Sequence, residues 1–187
     1  MSANYPWYNL INTKDLEQGD LLLHCPVIKP TWTAAHLNNQ DQESSEFSLF
    51  ADQFIFDVVV LTQSCDLINE KIDTVLVCPF TSVEIFLNHN FPDWNDKEQK
   101  QFREDVRRGN RPGYHLIAEC EIPNFISGIK LVDFYNIFSV PKSLLVRLAE
   151  RQSPRIRLMP PYREHLGQAF ARFFMRIGLP IDIPNQK

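Results

Sequence analysis

Glycine is scarce, with 6 in 187 residues. A collagen-like or low-complexity chain needs far more. No glycine-rich phosphate loop is present, which disfavours a doubly wound nucleotide-binding sheet. Long apolar runs are also missing. The longest stretches, FIFDVVVL and LVDFYNIFSV, fall short of the roughly 18 apolar residues that suggest a membrane span. The start, MSANYPWYNLINTKDLEQGD, has no basic segment followed by an apolar one, so no signal peptide is expected. No two of Cys25, Cys65, Cys78 and Cys120 form a CxxC pair, which removes zinc-knuckle and thioredoxin-type sites. Nor is there an excess of positive charge: 19 Lys+Arg against 23 Asp+Glu give a net −4. That disfavours a globally basic nucleic-acid binder but leaves room for a local basic face.

What is present points to a folded chain. The sequence carries 14 Phe, 5 Tyr and 3 Trp, too many aromatics for disorder. Its length fits one domain with a sizeable core. Three of the four cysteines lie in apolar strand-like contexts, which reads as reduced, buried thiols in a cytoplasmic protein.

The pattern of elements is strand-rich. Residues 19–28 read as a strand after a Gly19-Asp20 turn, and residues 33–46 as an exposed acidic loop. Residues 48–63 suggest a hairpin plus a buried strand, and 73–80 a buried strand stopped by Pro79. Thr81 or Ser82 is placed to cap a short helix, with Glu84 in its first turn. Residues 93–110 form a charged helix ending at Gly109, expected on the surface as an insertion. Strands follow at GYHLIAECEI and over 128–140, then a helix begins at PKSLL. The last element places Leu166, Phe170, Phe173, Phe174 and Ile177 at helical spacing. The sum is a mainly β, α+β single domain over 1–187. Five or six strands make a small bent barrel over about 19–150, with a helical insertion at 91–112 and a helical extension over 151–187.

The order of motifs resembles the PemK/MazF-like growth-inhibitor family, which has an SH3-like barrel. The residues concerned are Gly19-Asp20-Leu21-Leu22, the valine-rich VVVLTQS of 58–64, VLVCPFTS of 75–82 and KLVDFYNIFSVPKSLL of 130–145. The resemblance implies a single-strand endoribonuclease of a toxin–antitoxin or defence system. It also implies a homodimer, an antitoxin or other protein partner, and chemistry without metal or cofactor. Such cleavage needs a base for the ribose 2'-OH, an acid for the leaving oxygen and a cation for the phosphate. Thr81 matches the family threonine. Asp57 or Phe56 stands where the family has an arginine.

Other residues are weighed on their own chemistry. Thr81 reads either as a phosphate contact or as the helix cap. Cys65 is a nucleophile candidate if His115 or His24 deprotonates it and Asp66 orients that base; otherwise it is a small buried residue and Asp66 a cap. His115, beside Arg107, Arg108 and Arg111, is an acid or base for RNA cleavage, or a strand histidine next to a solvated arginine cluster. His24 is expected on the same strand face as Leu22, at a barrel mouth. Arg163, Arg172 and Arg176 offer a partner or phosphate contact from the C-terminal helix, or pair with acidic residues of the first half.

That pairing has a basis in charge. Residues 1–93 carry 3 Lys+Arg and 13 Asp+Glu, while residues 94–187 carry 16 and 10. Three functions follow: a PemK/MazF-like ribonuclease, a non-catalytic barrel that binds a protein partner, and a cysteine-dependent hydrolase.

Overall fold

The computed structural model describes residues 5–31, 50–120, 122 and 128–175. Along the chain these form β1 (Tyr8–Ile11), β2 (Asp20–Thr31), β3 (Phe50–Val60), α1 (Ser64–Ile68), β4 (Thr74–Ser82), α2 (Val83–Asn90) and α3 (Asp96–Arg107). They continue with β5 (Tyr114–Ile117), β6 (Lys130–Asp133), β7 (Phe138–Pro141), α4 (Lys142–Arg151), β8 (Arg155–Leu158) and α5 (Tyr162–Phe174). The fold is mixed α+β. The acidic loop expected at 33–46 lies outside the described residues.

The sheet runs β1-β8-β2-β3-β4-β6-β5, with β7 also on β4. Each of these pairings is antiparallel. No ladder joins β1 to β5, so the sheet is not closed. One side-chain bond crosses that gap: the Tyr8 hydroxyl donates to the Ala118 carbonyl. The sheet takes in β1 and β8, outside the 19–150 span expected for the core. Two strands were hidden in the sequence for different reasons. β1 is only four residues long. β8 reads Arg-Ile-Arg-Leu, yet all four residues are buried, so its arginines do not mark a solvent face.

Other expectations need correction. Residues 50–60 are one strand, not a hairpin; the hairpin partner is β2, in register from Leu21↔Val59 to Thr31↔Phe50. β4 does not stop at Pro79. On its outer side β7 pairs with 74–77 and β6 with 80–82, so Pro79 falls where that ladder is interrupted. A strand proline is tolerated at such a break, because it has no N–H to give.

Strand alternation sorts the core onto the two sheet faces. Leu22, Val58, Val60, Val77 and Leu145 pack on one side. Leu21, Val59, Cys78, Val132 and Leu166 pack on the other, under α5. A third cluster joins Leu87 of α2, Phe102 and Val106 of α3, and Leu131 of β6. The helix expected as a surface insertion is therefore anchored. Phe102 and Val106 lie four apart on one face, and burying each contributes about 1.5–3 kcal/mol. Its start is fixed by a capping box in which the Asn95 side chain accepts from Glu98 N–H and Glu98 accepts from Asn95 N–H.

The alternation fails at one point in β2. The register shifts between Leu22 and Cys25, and His24 has φ 52°. Leu22 is buried and His24 exposed, so the two do not share a face as the plain alternation predicts. The bulge is held by side chains. Leu23 N–H donates to Gln152 Oε1 at 2.8 Å, Gln152 Nε2 donates to the Leu23 carbonyl at 2.5 Å, and His24 N–H donates to Asp57 Oδ1 at 2.9 Å.

The acidic and basic halves of the chain meet in a buried ionic knot. Asp20 is fully buried and Arg155 is 1% exposed. Arg155 Nη2 donates to Asp20 Oδ2 at 3.0 Å and to the Asp15 carbonyl at 2.6 Å. Arg157 donates to Asp20 and Glu17, and Arg163 Nη1 donates to Glu17 Oε2 at 3.1 Å. Of the helix arginines expected to pair with the first half, Arg163 does so through Glu17, whereas most of the pairing comes from Arg155 and Arg157 of β8.

Candidate functional site

His115 sits on β5, an edge strand of the sheet. Its cross-strand partner is Val132, whose own partner on the next strand is Phe80. Directly paired residues share a face, so His115 looks toward the cluster under α5, and its ring lies 6.4 Å from Phe134. From α5, His165, Gln168, Ala169 and Arg172 face the same space. Their spacing of three, four and seven puts them on one stripe of the helix. The adjoining stripe, with Leu166 fully buried, packs into the core.

The third wall is the C-terminal end of α3 and the turn after it. Arg107, Arg108, Gly109 and Pro112 complete a cleft of about 330 Å³ with Tyr114 and His115. Gly109 ends the helix with φ 77°, and its N–H donates to the Val106 carbonyl at 2.9 Å. Anchoring by Phe102 and Val106 fixes where this arginine-bearing end lies.

The cleft is cationic. Glu104 holds both helix-end arginines: Arg107 donates to it at 2.6 Å and Arg108 at 2.5 Å. These bonds pull the Glu104 carboxyl down to about 2. Arg172 has no ion-pair partner among the described residues. Burial, and secondarily the neighbouring His165, push the His115 imidazole down to about 4. It is neutral at pH 7, with a ring nitrogen free to accept a proton.

Four of the residues singled out from sequence therefore converge: Arg107, Arg108, His115 and Arg172. The others do not join them. Thr81 pairs with Leu131, which pairs with Leu116. That line of residues lies on the sheet face opposite His115, so Thr81 and His115 do not meet. Nor does Thr81 cap α2; Ser82 Oγ accepts from Ile85 N–H at 3.0 Å. Arg111 lies over the Phe102 ring at 4.9 Å and 3.7 Å from Asp105, outside the cleft. Arg163 is committed to Glu17 and Glu164. His24 is on the β2 bulge, and Arg176 lies outside the described residues.

Cys65 is exposed, not a buried residue, and its sulfur neighbours are Gln63 Oε1 at 3.6 Å and Asp66 Oδ1 at 3.9 Å. No imidazole is among these hydrogen-bond partners. Asp66 is not a cap: it lies in the first turn of α1, 3.8 Å from Lys71 Nζ. Cys25, Cys78 and Cys120 are buried and form no disulfide among the described residues.

Sequence reasoning missed His165. Its signal was available: it stands seven residues before Arg172, two helical turns away on the same stripe. Among the described residues no group of His, Cys, Asp and Glu is placed to hold a metal ion, and no helix is long and apolar enough to cross a membrane. No family model and no curated protein matches the chain.

Proposed function

We propose that the cleft binds the phosphate of single-stranded RNA and cleaves the adjacent ester without a metal. The observation that carries this reading is the convergence of two imidazoles and three guanidinium groups on one cleft. Neutral His115 takes the proton of the ribose 2'-OH while that oxygen attacks phosphorus. The bond from phosphorus to the 5'-oxygen breaks, and His165 gives its proton to the departing oxygen. The products are a 2',3'-cyclic phosphate and a 5'-hydroxyl end. Arg172, with no carboxylate partner among the described residues, is the first cation offered to the phosphate, and Arg107 and Arg108 add to the field. A base held near 4 is weak. A bound phosphate anion beside it raises its proton affinity toward neutrality, so substrate itself tunes the base.

This reading keeps the PemK/MazF-like activity but moves it to other residues. On it, the curled sheet is an SH3-like barrel whose β1–β5 seam is bridged by Tyr8, and the protein acts as a toxin-type endoribonuclease countered by a protein partner. A second reading has its own support. Thr81, the residue that the resemblance supplies, lies on the sheet face opposite His115 and the cleft, and Asp57 or Phe56 stands where the family arginine is expected. The chain would then be a non-catalytic module whose cationic cleft receives an acidic protein partner.

The test is incubation with single-stranded RNA in the presence of a chelator. Products ending in cyclic phosphate, lost in His115→Ala, His165→Ala and Arg172→Ala but kept in Thr81→Ala, support cleavage at the cleft. Intact RNA with the wild-type protein overturns the ribonuclease reading and leaves the module.

A further inference from the structure

Tyr135 lies in the turn between β6 and β7, in contact with the cleft-lining Tyr114, and 58% of it is exposed. Exposure alone is common for a tyrosine. This ring differs in being fixed on three sides. It lies against Gly113, where a Cβ would come within 2.1 Å of Tyr135 Cε2 and 2.4 Å of Cζ. Tyr114 meets it edge-on at 5.4 Å and Phe173 edge-on at 5.3 Å. The turn that carries it is tied as well: Tyr135 N–H donates to Asp133 Oδ1 at 3.0 Å, and Asn136 Nδ2 donates to Asp133 Oδ2 at 2.8 Å.

Each neighbour of that ring is a cleft residue or adjoins one. Tyr114 lines the cleft, Gly113 lies between the lining residues Pro112 and Tyr114, and Phe173 follows Arg172. A rigid aromatic face beside a cationic cleft is the pairing used to hold single-stranded nucleic acid: arginines take the phosphates and the ring takes a base. A ring already held in place also loses little conformational entropy on binding.

We infer that Tyr135 is a base-stacking platform. On this inference the open face of its ring receives the nucleobase next to the phosphate held in the cleft. The inference rests on the proposed RNA-binding reading and adds the base subsite to it. Stacking is tolerant of base identity, so the subsite takes any base and prefers purines for their larger face.

The probe is a short oligoribonucleotide carrying a fluorescent adenine analogue, titrated at several salt concentrations. With wild-type protein the fluorophore is quenched on binding. Tyr135→Phe retains quenching and affinity. Tyr135→Leu loses the quench and weakens binding roughly 5- to 150-fold, the loss of one base–aromatic stack. Its salt dependence is unchanged, because phosphate contacts remain, whereas Arg172→Ala flattens that dependence. Melting temperatures of both Tyr135 variants report whether the fold is intact, and the wild-type quench stands without any variant. Tight binding without quenching, or wild-type affinity in folded Tyr135→Leu, overturns the platform and leaves the cleft reading in place. Quenching that persists while Arg172→Ala alters neither affinity nor salt dependence overturns the cleft reading instead. No binding at low salt overturns both.

Discussion

Asp20 and Arg155 are 135 residues apart, yet Arg155 Nη2 lies 3.0 Å from Asp20 Oδ2 and both side chains are shut away from water. Taking one partner from a buried pair leaves the other charged and unsatisfied, which costs about 3–5 kcal/mol. Asp20→Asn, which leaves Arg155 buried without a carboxylate, is expected to lower unfolding free energy by that amount in urea titrations, and Arg155→Met by less, because Arg157 still meets Asp20. Added salt should not reproduce the effect, since buried pairs are screened little. A loss of only about 1 kcal/mol would instead indicate a pair behaving like an exposed one.

His115 makes stability depend on acidity. Its folded value of about 4 lies below the ordinary 6.5, so the unfolded chain binds the proton more readily. The contribution is whole above pH 6.5 and is lost as pH falls toward 4, amounting to about 3 kcal/mol. His165, Arg107, Arg108 and Arg172 face the same cleft and add no acid that would offset the loss. His115→Gln should flatten the denaturation curve between these two pH values. An unchanged slope in that variant would place the titrating group elsewhere.

Ser82 and Thr81 are neighbours with different work. Ser82 Oγ satisfies the Ile85 N–H at the start of α2, while Thr81 is a strand residue paired with Leu131. Ser82→Ala should cost about 1 kcal/mol through loss of the cap. Ser82→Gly should cost less, since glycine is itself a good cap. Thr81→Val keeps the strand shape and should be near neutral by thermal melting. The reverse order would return the cap to Thr81.

Phe102 is 1% exposed and holds α3 against α2 and Tyr114. Phe102→Ala should destabilise the protein by about 3–5 kcal/mol. Because the same helix ends in Arg107 and Arg108, the RNA affinity that the proposed function assigns to the cleft should fall too, although Phe102 does not line it. Full affinity in a destabilised but folded variant would separate the two.

The strand-rich class, α2 to α4 and the last helix were legible from hydrophobic period and caps. β8 was not, because Arg155 and Arg157 read as solvent residues until the acidic residues they meet are known. The His24 bulge was not, because Gln152 is brought to Leu23 only by the tertiary fold. Half of the candidate site was legible as an arginine-rich segment with a histidine. On the distant helix α5 the sequence marked Arg172 but not His165, which only packing of that helix on the sheet brings opposite His115.

The placement of β8 sets a schedule for the nascent chain. β8 lies between β1 and β2, so two strands wait for a segment made much later, Arg155 following Asp20 by 135 residues. Until residues 155–158 emerge, Asp20 has neither guanidinium partner and the inner edge of β1 has no ladder. Contacts so far apart in sequence close slowly. During that interval an unpaired strand edge and a charged core residue are exposed together, which is where a chaperone would find its hold.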